Sequence, residues 1–468
     1  MNLMNFVRTC VVVASMVVLA LLPAGLASAQ LTDTTWSSGT NGLWSTVGNW
    51  SNTVPDANTE RAVISTASGT TVTLDNSYTI GGLQIASGYT LQRGATDGTT
   101  RTLTIAAATA ANNFFSNAGT ISSGGTNGTL SLRFNGGGST FVNAGTLQAT
   151  AGTTLELKGN NGTTLPTLVN TGGTIQTLGN GTLRFSCFDI PSGQPAGIQA
   201  ITGGALLISS GGTMTTDGGP RPFTLTDVAF TNNGAVNWLQ ADTSTGSSQP
   251  TVMTLSGTTA LVNGGSMQFT RNGAFHTFAT SQVGLTVSAS TASLTNNVGA
   301  NLSFLARGSV GGQSNLSTPN ANFTITNNGT ITFESQSTAS ASNLSVGATG
   351  ANATTLGGSG SLVLLVGAGG TASNVGIVGS SANLINGASH TIRGAGVIGG
   401  GGARSVTNNG TITADDATNA LTVNMAWAAN DNTQIGTFTN NGTFQATGAG
   451  GIVINVANFA NNGTFTTG

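Results

Sequence analysis

Charge is what this sequence has least of. Among 468 residues, 12 are lysine or arginine and 14 are aspartate or glutamate. That is 6%, against about 25% in an ordinary soluble domain. Lys158 is the sole lysine. A net charge of −2 gives no electrostatic reason to expect nucleic acid or an anionic membrane surface as a partner. Cysteine is equally scarce. Cys10 sits in the leading apolar segment, which leaves Cys187 alone and excludes an intramolecular disulfide framework. His276 and His390 are the only histidines and lie far apart. No recurring His, Cys and carboxylate spacing points to zinc, and no aspartate-bearing glycine-rich nonapeptide points to calcium. Lys158 lacks the glycines of a phosphate loop, and there is no Gly-x-Ser-x-Gly elbow. No cofactor is expected. Proline is rare, at nine, yet no helical i, i+3, i+4 stripe recurs past the first segment. With 38% hydrophobic residues and so little charge, the chain is not of the disordered class.

Residues 1–29 read as a signal peptide. Arg8 is followed by the apolar run Val11 to Leu22, and "ASAQ" (Ala27 to Gln30) offers small residues to a signal peptidase, so cleavage is expected after Ala29. The run is short for a membrane span, and the mature protein is expected to be exported, extracellular or on the outer cell surface.

What is abundant is glycine, 70 residues, set in a repeating sentence with asparagine. "ITNNGTITF" (Ile325 to Phe333), "VTNNGTIT" (from Val406), "FTNNGTF" (from Phe438) and "FANNGTF" (from Phe459) share one form, and looser copies precede them. The key asparagines are Asn117, Asn143, Asn170, Asn232, Asn263, Asn296, Asn327, Asn386, Asn408, Asn440 and Asn461, mostly 21 to 33 residues apart, with double steps of 62 and 59. Degenerate units, "ITGGALL" from Ile201 and "LGGSGSL" from Leu356, fill the two gaps. Around them apolar residues alternate, as in Leu130, Leu132 and Phe134 or Leu155 and Leu157, the mark of half-buried strands. A period of this size built from strands predicts a β-solenoid: all-β, a right-handed parallel β-helix of roughly thirteen turns and about 60 Å. Residues 30–65, with Trp36, Trp44 and Trp50, are expected to form an N-terminal cap that keeps the open sheet edges from pairing with another chain. Residues 66–468 form the repeat domain. Asn-Gly is read as corner chemistry, because both residues accept positive φ. Stacked corners are expected to join the asparagine amides in one ladder.

The stretch "TTWSSGTNGLWSTVGNWSNTVPDANTERAVIS", then "VTLDNSYTIGGLQIASGYTL" (Val72 to Leu91) and "IRGAGVIGGGGARSVTNNGTITADD" (Ile392 to Asp416), resemble bacterial autotransporter-associated β-strand-repeat proteins and related PEP-CTERM-type exported proteins. The resemblance covers nearly all of the mature chain. It implies export, a parallel β-helix and surface attachment. No barrel pattern, sorting helix or arginine cluster follows Phe465, so the expectation is either release of the protein or a truncated chain.

Many parallel β-helices are polysaccharide lyases or hydrolases, which need clustered ionisable groups on an outer face. The carboxylates here are scattered. Asp415 and Asp416 read as a solvated turn, and Asp217 and Asp227 around Arg221 read as a surface loop. Cys187, in step with Leu183 and Phe185, reads as packing, and Trp238 as packing beneath the polar stretch Ala241 to Pro250. The residues after each corner (Thr120 and Ser122, Thr146 and Gln148, Ser266 and Gln268, Thr330 and Thr332, Thr411 and Thr413, Thr443 and Gln445, Thr464 and Thr466) read as one uncharged polar stripe. The expectation is therefore a non-catalytic, adhesin-like structural protein whose partners are glycans, a cell surface or other copies of itself. The alternative is a carbohydrate-active β-helix enzyme.

Overall fold

Short runs such as Thr153–Gly159 bury every second residue, so each strand shows an apolar face to one side and hydroxyls and amides to the other. A chain made of such runs can satisfy its backbone only by pairing each run with the equivalent run one coil away. The computed structural model, which describes residues 30–65, 69–94, 98–107, 114–135, 140–159, 167–186, 200–216, 223–241, 251–273, 282–308, 312–379, 382–400, 405–425 and 436–467, has this architecture. Among the described residues there are three parallel sheets, of 16, 16 and 15 strands, and no α-helix. The chain visits the sheets in rotation: Thr140–Asn143 lies in the first, Thr146–Ala149 in the second and Thr153–Gly159 in the third. Every third strand then stacks in register on its predecessor, as with Thr174↔Thr146 and Leu183↔Leu155.

This is a parallel β-helix, with more coils than the thirteen expected. Sixteen stacked strands at about 4.8 Å give a rod of roughly 70 Å. The repeat count fell short because several coils carry no asparagine motif at all. The inward faces form one apolar column from Trp36 to Ala446. Leucine and isoleucine dominate it, with aromatic stacks where the sequence repeats phenylalanine. Phe269, Phe304 and Phe333 lie face to face at 5.1 and 5.0 Å. Each buried side chain of this size contributes about 1.5–3 kcal/mol by leaving water.

At the N-terminal end, Thr32–Thr35 pairs with Glu60–Ile64 and so already belongs to the first sheet. The first coil has no third-sheet strand. A 3-10 turn at Val47–Asn49 and three tryptophans stand there instead. The proposed signal peptide (1–29), Cys187, His276, Asp217 and Arg221 lie outside the described residues.

Candidate functional site: corners, cap and outer faces

The asparagines line up coil above coil, but in two ladders on two different corners. Asn117, Asn143 and Asn170 stand where the first sheet turns into the second. Asn117 Nδ2 donates to Asn143 Oδ1 at 2.7 Å, and Asn143 Nδ2 to Asn170 Oδ1 at 2.6 Å. From Asn232 onward the motif ends second-sheet strands and turns into the third sheet. Asn232, Asn263, Asn296 and Asn327 are linked by amide bonds of 2.8 Å, and Asn386, Asn408, Asn440 and Asn461 by bonds of 2.7–2.8 Å. Every bond runs the same way, each amide donating to the next coil. The amide also donates to a backbone carbonyl, of the next coil in Asn408 to Thr443 at 2.9 Å and of its own coil in Asn143 to Gly145 at 3.2 Å. All of these side chains but the terminal Asn461 are buried, so a missing partner would leave a desolvated polar atom.

The first double step in the repeat is the change of corner: above Asn170 the first corner continues as Gly203 and Gly204, and its amide ends on the carbonyls of Gly203 and Ala205. The second double step has another cause. Gly358 occupies the second corner between Asn327 and Asn386 and has no side chain to offer. The imidazole of His390 fills that place. Its Nδ1 is 2.8 Å from Asn386 Oδ1, which can only accept, and its Nε2 is 3.1 Å from Asn327 Nδ2, which can only donate. The ring is therefore the neutral Nδ1–H tautomer, and the donor direction of the ladder passes through it unbroken. Burial lowers the pKa of His390 to about 4. The sequence signal was the corner Asn386 to Thr391, two residues longer than Asn408 to Thr411, directly after a coil lacking asparagine.

The reason for glycine also differs from the expectation. Gly145, Gly410, Gly442 and Gly463 are not among the positive-φ residues. A Cβ on Gly442 would lie 2.0 Å from the carbonyl oxygen of Gly410, and on Gly145 2.1 Å from that of Gly119. Those carbonyls accept the N–H of the threonine in the next coil, Thr443 to Gly410 and Thr146 to Gly119, both at 2.8 Å. Glycine is required because backbone stacks directly on backbone, carrying the β-ladder around the bend.

In the coils below Asn232 the second corner is filled differently. Arg93 is fully buried and donates to the carbonyls of Ser123, Thr99, Gly124 and Thr126 at 3.1–3.3 Å. Gly128 leaves room for its guanidinium. Above it, Ser123 meets Thr153, and Thr177 meets Ser209, through their hydroxyls. Nothing in the sequence reading singled out Arg93 or the buried Arg271.

Trp36, Trp44 and Trp50 are all buried. Trp50 packs edge-on against Trp36 at 5.0 Å and Trp44 at 4.8 Å. Trp44 donates its indole N–H to Pro55 O at 3.1 Å, and Trp50 to Trp44 O at 2.8 Å. Rings so enclosed cannot stack on a sugar. Nearby Tyr78 has its pKa pushed up to about 12 by burial and by Asp75. Trp238 is buried too, 5.3 Å from Phe223.

Among the described residues the ionisable groups are scattered except on the third sheet, where Arg133, Glu156, Lys158 and Arg184 lie on three successive strands. Asp415 pairs with Arg393 at 3.0 Å. Partial burial favours the neutral form of the Asp416 carboxyl, but hydrogen bonds from Asn419 and Thr418 outweigh this and hold it below the usual range. Asp227, at φ 58, is lowered by the Thr258 N–H and hydroxyl. No group of three His, Cys, Asp or Glu that could hold a metal occurs among the described residues, and no helix there is long and apolar enough to cross a membrane.

The polar positions after the corners divide as the ladders do. Thr120, Thr146 and Gln148 lie on the outer side of the second sheet, where Ser122, expected in the same stripe, is instead buried, whereas Ser266, Gln268, Thr330 and Thr332 and their successors belong to the third. The third sheet nonetheless carries a continuous outer column. Thr100, Thr129, Thr154, Thr182 and Thr213 are in register, then Ala235, Ser266, Asn301, Thr330, Ser361, Thr391, Thr411, Thr443 and Thr464. No protein-family model, curated protein or solved structure matches the chain.

Proposed function

We propose that the protein is a non-catalytic, exported structural protein, adhesin-like in the broad sense, which touches glycan or a cell surface along the outer face of its third sheet. One observation supports this reading above the others: the outward column from Thr100 to Thr464. Over fourteen successive coils it holds threonine ten times, and Ala235, Ser266, Asn301 and Ser361 in the other four. None of these side chains is buried. A row of hydroxyls repeated every ~4.8 Å offers many weak, equivalent hydrogen bonds to an extended polymer. Binding then grows by multivalency, without a discrete pocket. A rigid rod joined by backbone ladders holds that row straight.

Export rests on residues 1–29, and intact-mass measurement of the secreted protein should show Gln30 as the first residue. The contact role is tested on a glycan array beside a reducing-sugar assay. Binding to extended polysaccharides without release of sugar ends is expected. Product formation that survives repurification would overturn the non-catalytic reading.

A further inference from the structure

The repeated sentence writes two asparagines side by side, and the fold treats them oppositely. In the corners Asn408 to Gly410 and Asn440 to Gly442 the first amide is buried in the ladder and the second is exposed. The exposed amides make an outer row of their own. Asn441 Nδ2 donates to Asn409 Oδ1, and Asn462 Nδ2 to Asn441 Oδ1, both at 3.0 Å. Each member of this row is followed by glycine (Gly410, Gly442 and Gly463), whereas the inner Asn408, Asn440 and Asn461 are followed by asparagine. That pairing carries chemistry. An asparagine carboxamide is open to attack by the backbone nitrogen of the next residue, most readily where that residue has no Cβ to obstruct the approach. Two buried ladder members also precede glycine, Asn263 before Gly264 and Asn386 before Gly387. They share the dipeptide and differ in their surroundings. The attacking nitrogens are engaged alike: Gly442 and Gly463 donate to the carbonyls of Asn408 and Asn440 at 3.0 Å, and Gly264 and Gly387 to those of Asn232 and Leu356 at 2.6 and 2.9 Å. The carboxamides are not. Asn263 Nδ2 donates to Asn296 Oδ1 at 2.8 Å and Asn301 O at 3.0 Å, while its Oδ1 accepts from Asn232. Asn386 is tied to Asn408, Thr411 and the ring of His390. An outer amide that turns toward its glycine gives up bonds that water replaces, whereas an inner one strands buried partners.

We propose that the outer row Asn409, Asn441 and Asn462 is a site of spontaneous deamidation, which turns its amides into carboxylates while the inner ladder stays intact. The glycine nitrogen bonds to the asparagine Cγ, the Cγ–Nδ2 bond breaks, and Nδ2 leaves as ammonia with the proton shed by the glycine nitrogen. Water then opens the cyclic imide. Cleavage of the new N–Cγ bond leaves aspartate; cleavage of the original peptide bond leaves isoaspartate, whose main chain is longer by a methylene. Water is the only co-reactant. A carboxylate at position 441 still accepts from Asn462 but has no N–H for Asn409 Oδ1. Each event adds a negative charge to a chain of net charge −2, two residues before the hydroxyl column of Thr411, Thr443 and Thr464. The isoaspartate product does not fit these corners, where a Cβ on Gly442 or Gly463 would already lie 2.0 or 2.1 Å from the carbonyl oxygen of the coil below. It should therefore open its coil locally. The inference stands apart from the glycan-contact reading and does not rest on it.

The test ages the whole chain at mildly alkaline pH, once folded and once in urea. Peptide mapping by mass spectrometry reads the conversion of amide to acid at each asparagine, and labelling by an isoaspartyl methyltransferase counts the isoaspartate. In the folded protein Asn409, Asn441 and Asn462 should convert at least about tenfold faster than Asn263 and Asn386. In urea, where only the dipeptide matters, all five should agree within about threefold. Asn441→Gln, whose longer side chain must close a larger ring, should stop conversion at that corner and leave the rate at Asn263 unchanged. Folded protein carrying isoaspartate at position 441 should be cleaved by protease near that corner sooner than the unaged chain. Equal rates at the inner and outer asparagines of the folded protein, an outer row as inert as the inner ladder, or the same order of rates in urea would overturn the assignment.

Discussion

Acid should loosen the rod at one place, the coil where a histidine stands in for an asparagine. His390 accepts from Asn327 through Nε2 and donates to Asn386 through Nδ1. A proton on Nε2 would set two donors against each other and place a charge in a buried corner. In an unfolded chain the imidazole titrates near 6.5; here its pKa is about 4. A depressed pKa means that the folded state prefers the neutral ring. Its contribution is complete above pH ~6.5, falls as the unfolded form takes up the proton, and levels off below pH ~4. A difference of about 2.5 units at 1.36 kcal/mol each gives about 3 kcal/mol. In a solenoid, coils interact with nearest neighbours, so this loss falls on the interfaces around Gly358 and does not spread over the molecule. Hydrogen exchange read by mass spectrometry resolves it. After correction for intrinsic exchange, amides from Asn327 to Gly360 and from Asn386 to Thr411 should open on the order of a hundredfold more at pH 4.5 than at pH 7. The coils around Leu155 should change little. His390→Ala should already be loose at pH 7, because it strands two buried groups at about 1–3 kcal/mol each, and should show no further step on acidification. Flat protection in the parent between pH 7 and 4.5, or the same step in His390→Ala, would refute the reasoning.

Three further outcomes follow from the corners and the cap. Gly442→Ala drives a methyl to 2.0 Å from the Gly410 carbonyl and should destabilise its coil by about 3 kcal/mol or more, seen as early proteolytic cleavage near residue 442. Asn263→Ala breaks the ladder on both sides and should cost about 2–4 kcal/mol in denaturant unfolding, whereas Asn409→Ala, in the exposed outer row with Asn441, should stay within about 0.5 kcal/mol. Trp50→Ala removes the ring that both other indoles pack on. It should cost about 3–5 kcal/mol, red-shift the tryptophan emission and raise the tendency to associate through the uncovered edge.

The three-sheet solenoid was legible because two local signals agree: alternate apolar residues demand a shared core, and a fixed sentence every 21 to 33 residues demands equivalent positions in each coil. What the sequence could not reveal is which of three corners a given sentence occupies. "FVNAGTL" at Phe141 turns the first sheet into the second, and "FTNNGTF" at Phe438 turns the second into the third. The local chemistry is the same at both: an amide that bonds upward, and a glycine that lets the carbonyl below approach. Only the count of strands between successive motifs differs, and that count is hidden where a corner is written in other residues. Arg93 with its four carbonyls, the hydroxyl pairs of Ser123 with Thr153 and Thr177 with Ser209, and the imidazole of His390 all do the work of asparagine without its name. The constraint on a corner is thus the satisfaction of buried donors and acceptors, and the residue type is one solution among several. The same reasoning explains why the rule of positive φ failed at Gly442 while holding at Gly152 and Gly299, at φ 73 and 77. Both kinds of corner need glycine, one for its freedom of rotation and one for the space it leaves, and a single letter in the sequence cannot tell the two apart.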